Sequence, residues 1–311
     1  MTERTAHGTD GRADAPVRID FPSRGRVEIA AFRWEPAGPP RGIVSIAHGM
    51  GEHVLRYAPL AARLTAAGFV VQGQDHRGHG ATAREAGAEP GVLGPEGWGD
   101  LVDDVGRLVA RGRADVPGVP VVLLGHSMGS FAVQQYLLDH SLEVDAAALT
   151  GTSLLDVMET GLDLSGPLDL SGFNAPFAPA RTDFDWLSRD PEQVDLYVAD
   201  PWCGFGLDVE GGLAMFTAGR AVADPARLAA MRPDLPVYVA VGEADPVGGP
   251  VVAPEALVQR YRDAGLRDVT LRIWEGARHE ILNETNRDEV VDDLLAWLDR
   301  VVPADRDRPG S

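Results

Sequence analysis

"VVLLGHSMGS", residues 121–130, runs four apolar residues into a serine held between two glycines. Such a run ending on Gly125-His126-Ser127-Met128-Gly129 reads as a buried strand that turns abruptly into a helix. A loop that merely turned would not need small residues on both sides of one position. Where strand and helix backbones crowd together glycine is what fits, and the serine between them is lifted clear of the sheet on a strained turn. The helix starting at Met128 then points its free N–H groups and positive dipole end at a developing oxyanion.

Outward from this point, short apolar runs alternate with amphipathic ones. "VRIDFPSRGRVEIAAFRW" (17–34) reads as a β-hairpin around Ser23-Arg24-Gly25. Strands are expected at "GIVSIAHG" (42–49), "FVVQGQD" (69–75), "AAALTG" (146–151), "VYVAVG" (237–242) and "VTLRIWEG" (269–276). Helices are expected near 54–67, over "LVDDVGRLVARG" and "FAVQQYLLD", around 254–264 and about 287–301. This order predicts an α/β fold, a mostly parallel central sheet with helices on both faces.

Between 152 and 230 no strand is legible, prolines are frequent, and aromatics gather: Phe173, Phe177, Phe184, Trp186, Tyr197, Trp202, Phe205 and Phe216. The expected organisation is a sheet core in two parts, 17–151 and 231–302, with an α-helical cap inserted at 152–230. Most of those rings should form the cap's own core, and two or three should face a ligand. Residues 1 to about 15 and the tail after Pro303, polar and small, are expected to be disordered.

Composition narrows the chemistry. A net charge of -19 argues against nucleic acid and against stable binding to anionic lipid surfaces, though not against uptake of a lipid molecule. The chain contains no lysine, which removes Schiff-base chemistry, a Ser-Lys dyad and a phosphate-loop lysine together. Cys203 is the single cysteine, so no intramolecular disulfide forms and no metal-cluster spacing exists. His48, His53, His76 and His79 occur as HxxxxH and HxxH, without the helical HExxH spacing of a zinc site. No metal and no cofactor are expected. Gly49-x-Gly51 is not a dinucleotide loop, because Val54 stands where the third glycine would be. No apolar run approaches the ~20 residues of a membrane span, and "MTERTAHGTDGRADAP" has no apolar signal stretch. The cytoplasm is the expected compartment.

A nucleophilic serine needs a base, and the base an orienting carboxylate; on a sheet of this kind the chain order is Ser, then Asp or Glu, then His. Downstream of Ser127 stand only His140 and His279. His140 lies a helix length away, whereas His279, in "EGARHEIL", follows the last strand on the loop edge where the base belongs. "VAVGEADPVG" offers Glu243 and Asp245, of which Asp245, before Pro246, has the form of the turn residue. The other half of an oxyanion hole should come from "AHGMGEH", where the amide of Met50 adjoins Gly49. His48 and Asp75 are expected in hydrogen-bond networks that hold the loops beside the elbow, and Glu52 and Arg56 can pair at i, i+4.

Together, "HGMGEHVLRY", "DHRGHG", "GHSMGS" and "GARHEILNE" resemble, in order, four motifs of the monoacylglycerol lipase and lysophospholipase branch of the α/β-hydrolase superfamily. "GEADPVGG" with "ARHEILNETNR" is similar to bacterial members of that branch. The resemblance covers about residues 17 to 302. It implies Ser127, Asp245 and His279 as the triad, with Met50 and Met128 as oxyanion donors. Ser130 departs from it, where a second glycine is common, and a residue that small should matter little. The implied activity is hydrolysis of carboxylic esters through an acyl-enzyme, on a single-chain lipid such as a monoacylglycerol or lysophospholipid. The same triad would serve an acyltransferase, amidase or aminopeptidase. A non-catalytic receptor on this scaffold would be free to lose a triad member, and none is missing.

Overall fold

The computed structural model describes residues 15–304 with the exception of residue 250, so most of the terminal segments expected to be disordered lie outside the described residues. The hairpin forms, but in pieces of two residues. β1 (Val17–Arg18) pairs antiparallel with β4 (Ala31–Trp34), and β2 (Phe21–Pro22) with β3 (Glu28–Ile29). A 3-10 turn at Arg24–Arg26 joins β2 to β3.

After it come β5 (Gly42–Ala47), α1 (Ala58–Ala66), β6 (Phe69–Gln74), α2 (Gly80–Ala86) and α3 (Gly97–Asp115). Then follow β7 (Val121–His126), α4 (Met128–His140) and β8 (Ala146–Thr150). The segment before the next strand holds α5 (Leu155–Met158), α6 (Pro191–Ala199), α7 (Val209–Gly219) and α8 (Pro225–Ala229), with 3-10 turns and irregular backbone between them. The chain closes with β9 (Val237–Gly242), α9 (Val252–Asp263), β10 (Val269–Trp274) and α10 (Arg287–Val301). The short α2 had no counterpart among the expected elements.

The eight-stranded sheet runs β1-β4-β6-β5-β7-β8-β9-β10. All pairs from β6 to β10 are parallel, and β4 joins β6 antiparallel. Strand residues alternate between two cores. Val121 and Leu123 of β7 pack with Leu101 and Val105 of α3 and Phe131 and Leu137 of α4. Val122 and Leu124 pack on the opposite face with Leu60 and Leu64 of α1 and Leu294 and Trp297 of α10. Fully buried strands with both faces covered explain the uninterrupted apolar runs.

From β5 the chain steps to β6 on one side, then returns to β7 on the other. The loops after β5 and β7 therefore leave the sheet in opposite directions and open a crevice at the carboxyl ends of these strands, where open parallel sheets hold their ligands. Ser127 follows β7 directly at that crevice, and Gly49 and Met50 follow β5.

Candidate active site

Ser127 has φ 50° and ψ -122°, a left-handed conformation that a non-glycine residue adopts at a cost of about 1–3 kcal/mol. Its neighbours hold it there. A Cβ on Gly129 would lie 2.1 Å from the Ala47 carbonyl oxygen, and one on Gly125 2.6 Å from that of Gly129. Strand β5, strand β7 and helix α4 thus meet backbone to backbone. The first N–H groups of a helix have no intrahelical acceptor, and Ser130 is already the donor to the Ser127 carbonyl at 2.8 Å. The Met128 amide, at the first helical position, has no intrahelical acceptor.

His279 and Asp245 come together. The imidazole Nδ1 is 3.0 Å from each Asp245 carboxylate oxygen, and both residues are buried. An accepting carboxylate fixes Nδ1 as the donor and leaves Nε2 for a proton from elsewhere. Val247 N–H donates to Asp245 Oδ1 at 2.9 Å, which holds the carboxylate in the turn after β9. Burial acts most strongly on His279 and opposes its charged form, yet Asp245, helped by Glu280 and Glu52, outweighs it and raises the imidazole pKa above its ordinary value. The other carboxylate of this segment, Glu243, is exposed and accepts the Gly276 N–H at 3.0 Å. His140 ends α4, exposed, with Nδ1 2.8 Å from Glu143.

Ser127, His279, Gly49, Met50 and Met128 all line one cavity of about 270 Å³. Its other walls are mostly apolar and come from the segment between β8 and β9: Met158, Leu162, Leu168, Leu170, Phe173, Trp186, Met215 and Phe216. The Trp186 ring lies 4.9 Å from that of His279. Phe177 does not line the cavity; its ring receives the Arg278 guanidinium at 4.3 Å.

Where Glu52 and Glu280 reach the cavity lining, three charges are packed together. Glu52 accepts the Gly49 N–H at 2.6 Å and the Tyr57 hydroxyl at 2.8 Å, and Arg56 reaches it at 2.5 Å. The same guanidinium donates two bonds of 2.7 Å to Glu280, next to His279. Burial would raise the Glu280 pKa, but Arg56 holds it down at about 2. The network ties the Met50 loop to the His279 loop. The Glu52–Arg56 pair was visible at helical spacing; Glu280, 224 residues from Arg56, was not.

The neighbouring loop is fixed by histidines and one aspartate. His48 Nδ1 donates to the Gly49 carbonyl at 2.7 Å, and Nε2 accepts the His76 N–H at 2.9 Å. Asp75 accepts N–H groups of Val54 and Ala81 at 2.8 and 2.7 Å, joining the loop after β5 to the start of α2. Burial, the largest influence on each ring, lowers the pKa of His76 to about 3 and of His79 and His126 to about 4.

Above the crevice, Gly51, at φ +64°, approaches the other segment so closely that a Cβ would lie 2.3 Å from the Phe205 carbonyl oxygen. Its own carbonyl accepts the Tyr197 hydroxyl at 2.8 Å and the Gly204 N–H at 3.0 Å.

A family model described as serine aminopeptidase, S33, matches residues 38–286. The chain is 34% identical over 279 residues to the monoacylglycerol lipase of Mycolicibacterium smegmatis, covering 89% of this chain and 95% of the relative. It is 30% identical over 276 residues to the monoglyceride lipase of Mus musculus, covering 87% and 86%. Among solved structures, a highly thermostable carboxyl esterase from Bacillus coagulans in complex with glycerol superimposes with a TM-score of 0.82 at 27% identity, covering 93% of this chain and 99% of that one. A soluble variant of monoglyceride lipase from Saccharomyces cerevisiae in complex with a substrate analog has the same fold, with a TM-score of 0.74 at 21% identity over 95% and 98%.

Proposed function

The chain belongs to the α/β-hydrolase family described as serine aminopeptidase, S33, and from that membership we propose that it is a serine hydrolase of single-chain carboxylic esters, monoacylglycerols first. The observation that carries the reading is His279, bonded to the buried Asp245, sharing an apolar cavity with Ser127 at its strained turn. The relatives named as monoacylglycerol lipases support the ester over the peptide bond that the family description mentions.

In this reading His279 Nε2 takes the proton of Ser127 Oγ as the oxygen attacks the ester carbonyl. The C–O bond to the alcohol breaks, the alcohol leaves with the proton from His279, and an acyl-serine remains. Water, deprotonated by the same imidazole, releases the fatty acid. Asp245 keeps Nδ1 protonated and stabilises the imidazolium. The amides of Met50 and Met128 receive the oxyanion.

We assign residues 152–230 the role of a cap, since they supply most of the cavity's apolar wall. A wall of that kind over a polar floor suits one acyl chain and a small hydrophilic head. No helix among the described residues is long and apolar enough to cross a membrane.

The test is release of glycerol and fatty acid from monoacylglycerols by the purified protein, beside p-nitroanilides of amino acids. Hydrolysis of the esters alone supports the proposal; efficient hydrolysis of the anilides in preference to the esters would replace it with a peptidase.

A further inference from the structure

We propose that His53, Asp200 and Cys203 form a binding site for a thiophilic divalent cation, zinc in the first place, outside the machinery assigned above. His53 Nε2 lies 2.8 Å from Asp200 Oδ2. With Cys203 Sγ, the three donor atoms lie within 4.8 Å of one another, and among the described residues this is the one such cluster of three. All three side chains are half-buried, so an ion can reach them from solvent.

The site is built by the backbone rather than by chance proximity on a surface. Asp200 closes α6, and its Oδ1 accepts the Trp202 N–H at 2.9 Å, which turns Oδ2 toward His53. Cys203 N–H donates to the Asp200 carbonyl at 3.1 Å, placing both ligands on one tight turn. The bond from Gly204 to Gly51 then presses that turn onto the loop carrying His53. Imidazole nitrogen, carboxylate oxygen and thiolate sulfur are the mixture zinc takes. A carboxylate and a thiolate also cancel the ion's double charge.

Zinc bonds of ~2.0 Å to nitrogen and oxygen and ~2.3 Å to sulfur put tetrahedral neighbours roughly 3.3–3.5 Å apart. The His53–Asp200 pair must open by about half an ångström and Cys203 close by at most about 1.3 Å. The ion takes the place of the Nε2 proton between His53 and Asp200, which is carried on Nδ1 of the same ring once Nε2 binds the ion, and the thiol proton goes to solvent. The fourth position is left to water. Bound there, the ion staples the loop of Met50 to the turn above it, across 147 residues of sequence. That separation is why no spacing in the sequence announces the site.

The proposal does not depend on the ester reading, and its test needs no substrate. The chelator-treated full chain is titrated with Co²⁺. Expected are the intense d–d bands of four-coordinate cobalt and a thiolate-to-cobalt charge-transfer band, saturating at one ion per chain and displaced by Zn²⁺, with a rise in Tm. Cys203 is the chain's single cysteine, so a thiolate band has one possible source. Cys203→Ser should abolish it, and His53→Gln and Asp200→Asn should each weaken cobalt binding at least about 10–100-fold. The metal-free Tm of each variant checks that it folds, and Asp200→Asn, nearer the surface, serves if His53→Gln does not. No charge-transfer band, or one whose affinity neither His53→Gln nor Asp200→Asn moves, would overturn the proposal, the latter as capture by a lone thiol.

Discussion

Asp245 places both carboxylate oxygens 3.0 Å from Nδ1 of His279, in a turn where the exposed Glu243, two residues earlier, accepts the Gly276 N–H instead. The two carboxylates are therefore not interchangeable. Asp245→Asn should lower kcat by about 10⁴-fold, as loss of the orienting acid does in other triads, while Glu243→Gln should stay within a few-fold of wild type. Comparable losses in a matched ester assay would remove Asp245 from this role.

The same pair sets the pH profile. In the proposed mechanism His279 works as a base only when neutral, and its raised pKa delays that state to above the ordinary 6.5. The wild-type kcat/KM should rise with pH to a midpoint above 6.5 and then level. In Asp245→Asn the raising charge is gone and burial prevails, so the midpoint of the residual activity should move to lower pH. Unshifted midpoints would contradict this account.

Ser127→Ala should cost roughly 10⁶-fold in kcat without loss of fold, and a fluorophosphonate should add its mass at Ser127 and nowhere else. Residual activity of a few per cent, or a probe adduct that survives in the variant, would place the nucleophile elsewhere.

The glycines around the serine divide by what they touch. Gly129→Ala drives a methyl into the Ala47 and His48 carbonyl oxygens, which belong to backbone that cannot step aside. Low soluble yield or a large fall in Tm is expected. At Ser130 the hydroxyl lies 2.6 Å from the Ser127 carbonyl and 2.7 Å from Thr152 Oγ1. Ser130→Gly should lose about 1 kcal/mol, seen as a small drop in Tm with kcat nearly unchanged.

Acid should unfold the protein earlier than its ion pairs alone would require. His76, His79 and His126 take up protons near 3 to 4 when folded and near 6.5 when unfolded. Their stabilisation is present above pH 6.5 and is lost as pH falls through that window, by about 1.4 kcal/mol per pH unit for each ring. His279 has the opposite sign, since its raised pKa stabilises below 6.5 and fades as pH climbs through the folded value. A Tm constant from pH 7 down to pH 4.5 would count against the buried neutral rings.

Chain length and head group should both be read by the cavity. A buried methylene contributes about 0.8 kcal/mol, close to fourfold in kcat/KM per carbon until the space is full. Phe173→Ala should flatten that climb and Phe177→Ala should not, because only the first ring lines the wall. Asp163 and Asp169 stand in the lining, which contains no arginine among the described residues. A lysophosphatidic acid should therefore be cleaved at least about tenfold more slowly than the monoacylglycerol of equal chain. Equal rates would sink the charge argument.

What could be read in advance was whatever a local pattern encodes. Continuous apolar runs gave the strands from β5 to β10, and α10 ended where its periodicity did, at Val301. Ser127 was legible because two glycines flank it, and His279 because few histidines follow. The short α2, about two turns begun by loop contacts to Asp75, offered no period to detect. Neither Phe173 against Phe177, nor Glu280 on Arg56, nor Asp200 and Cys203 on His53 could be foreseen. Those choices depend on where irregular backbone between 152 and 208 comes to rest over a sheet it does not join.

The Gly51 carbonyl, gripped by Tyr197 and Gly204, is one rivet in that cover. Glu284 is another, taking the Arg189 N–H and Nε at 3.0 and 2.9 Å and the Arg278 N–H at 2.9 Å. Residues 158–173, spanned by brief 3-10 turns and irregular chain, are tied in turn by the Glu159–Arg220 ion pair and by the Leu168 N–H on the Leu207 carbonyl, so this stretch is fastened to the cover itself rather than to the sheet.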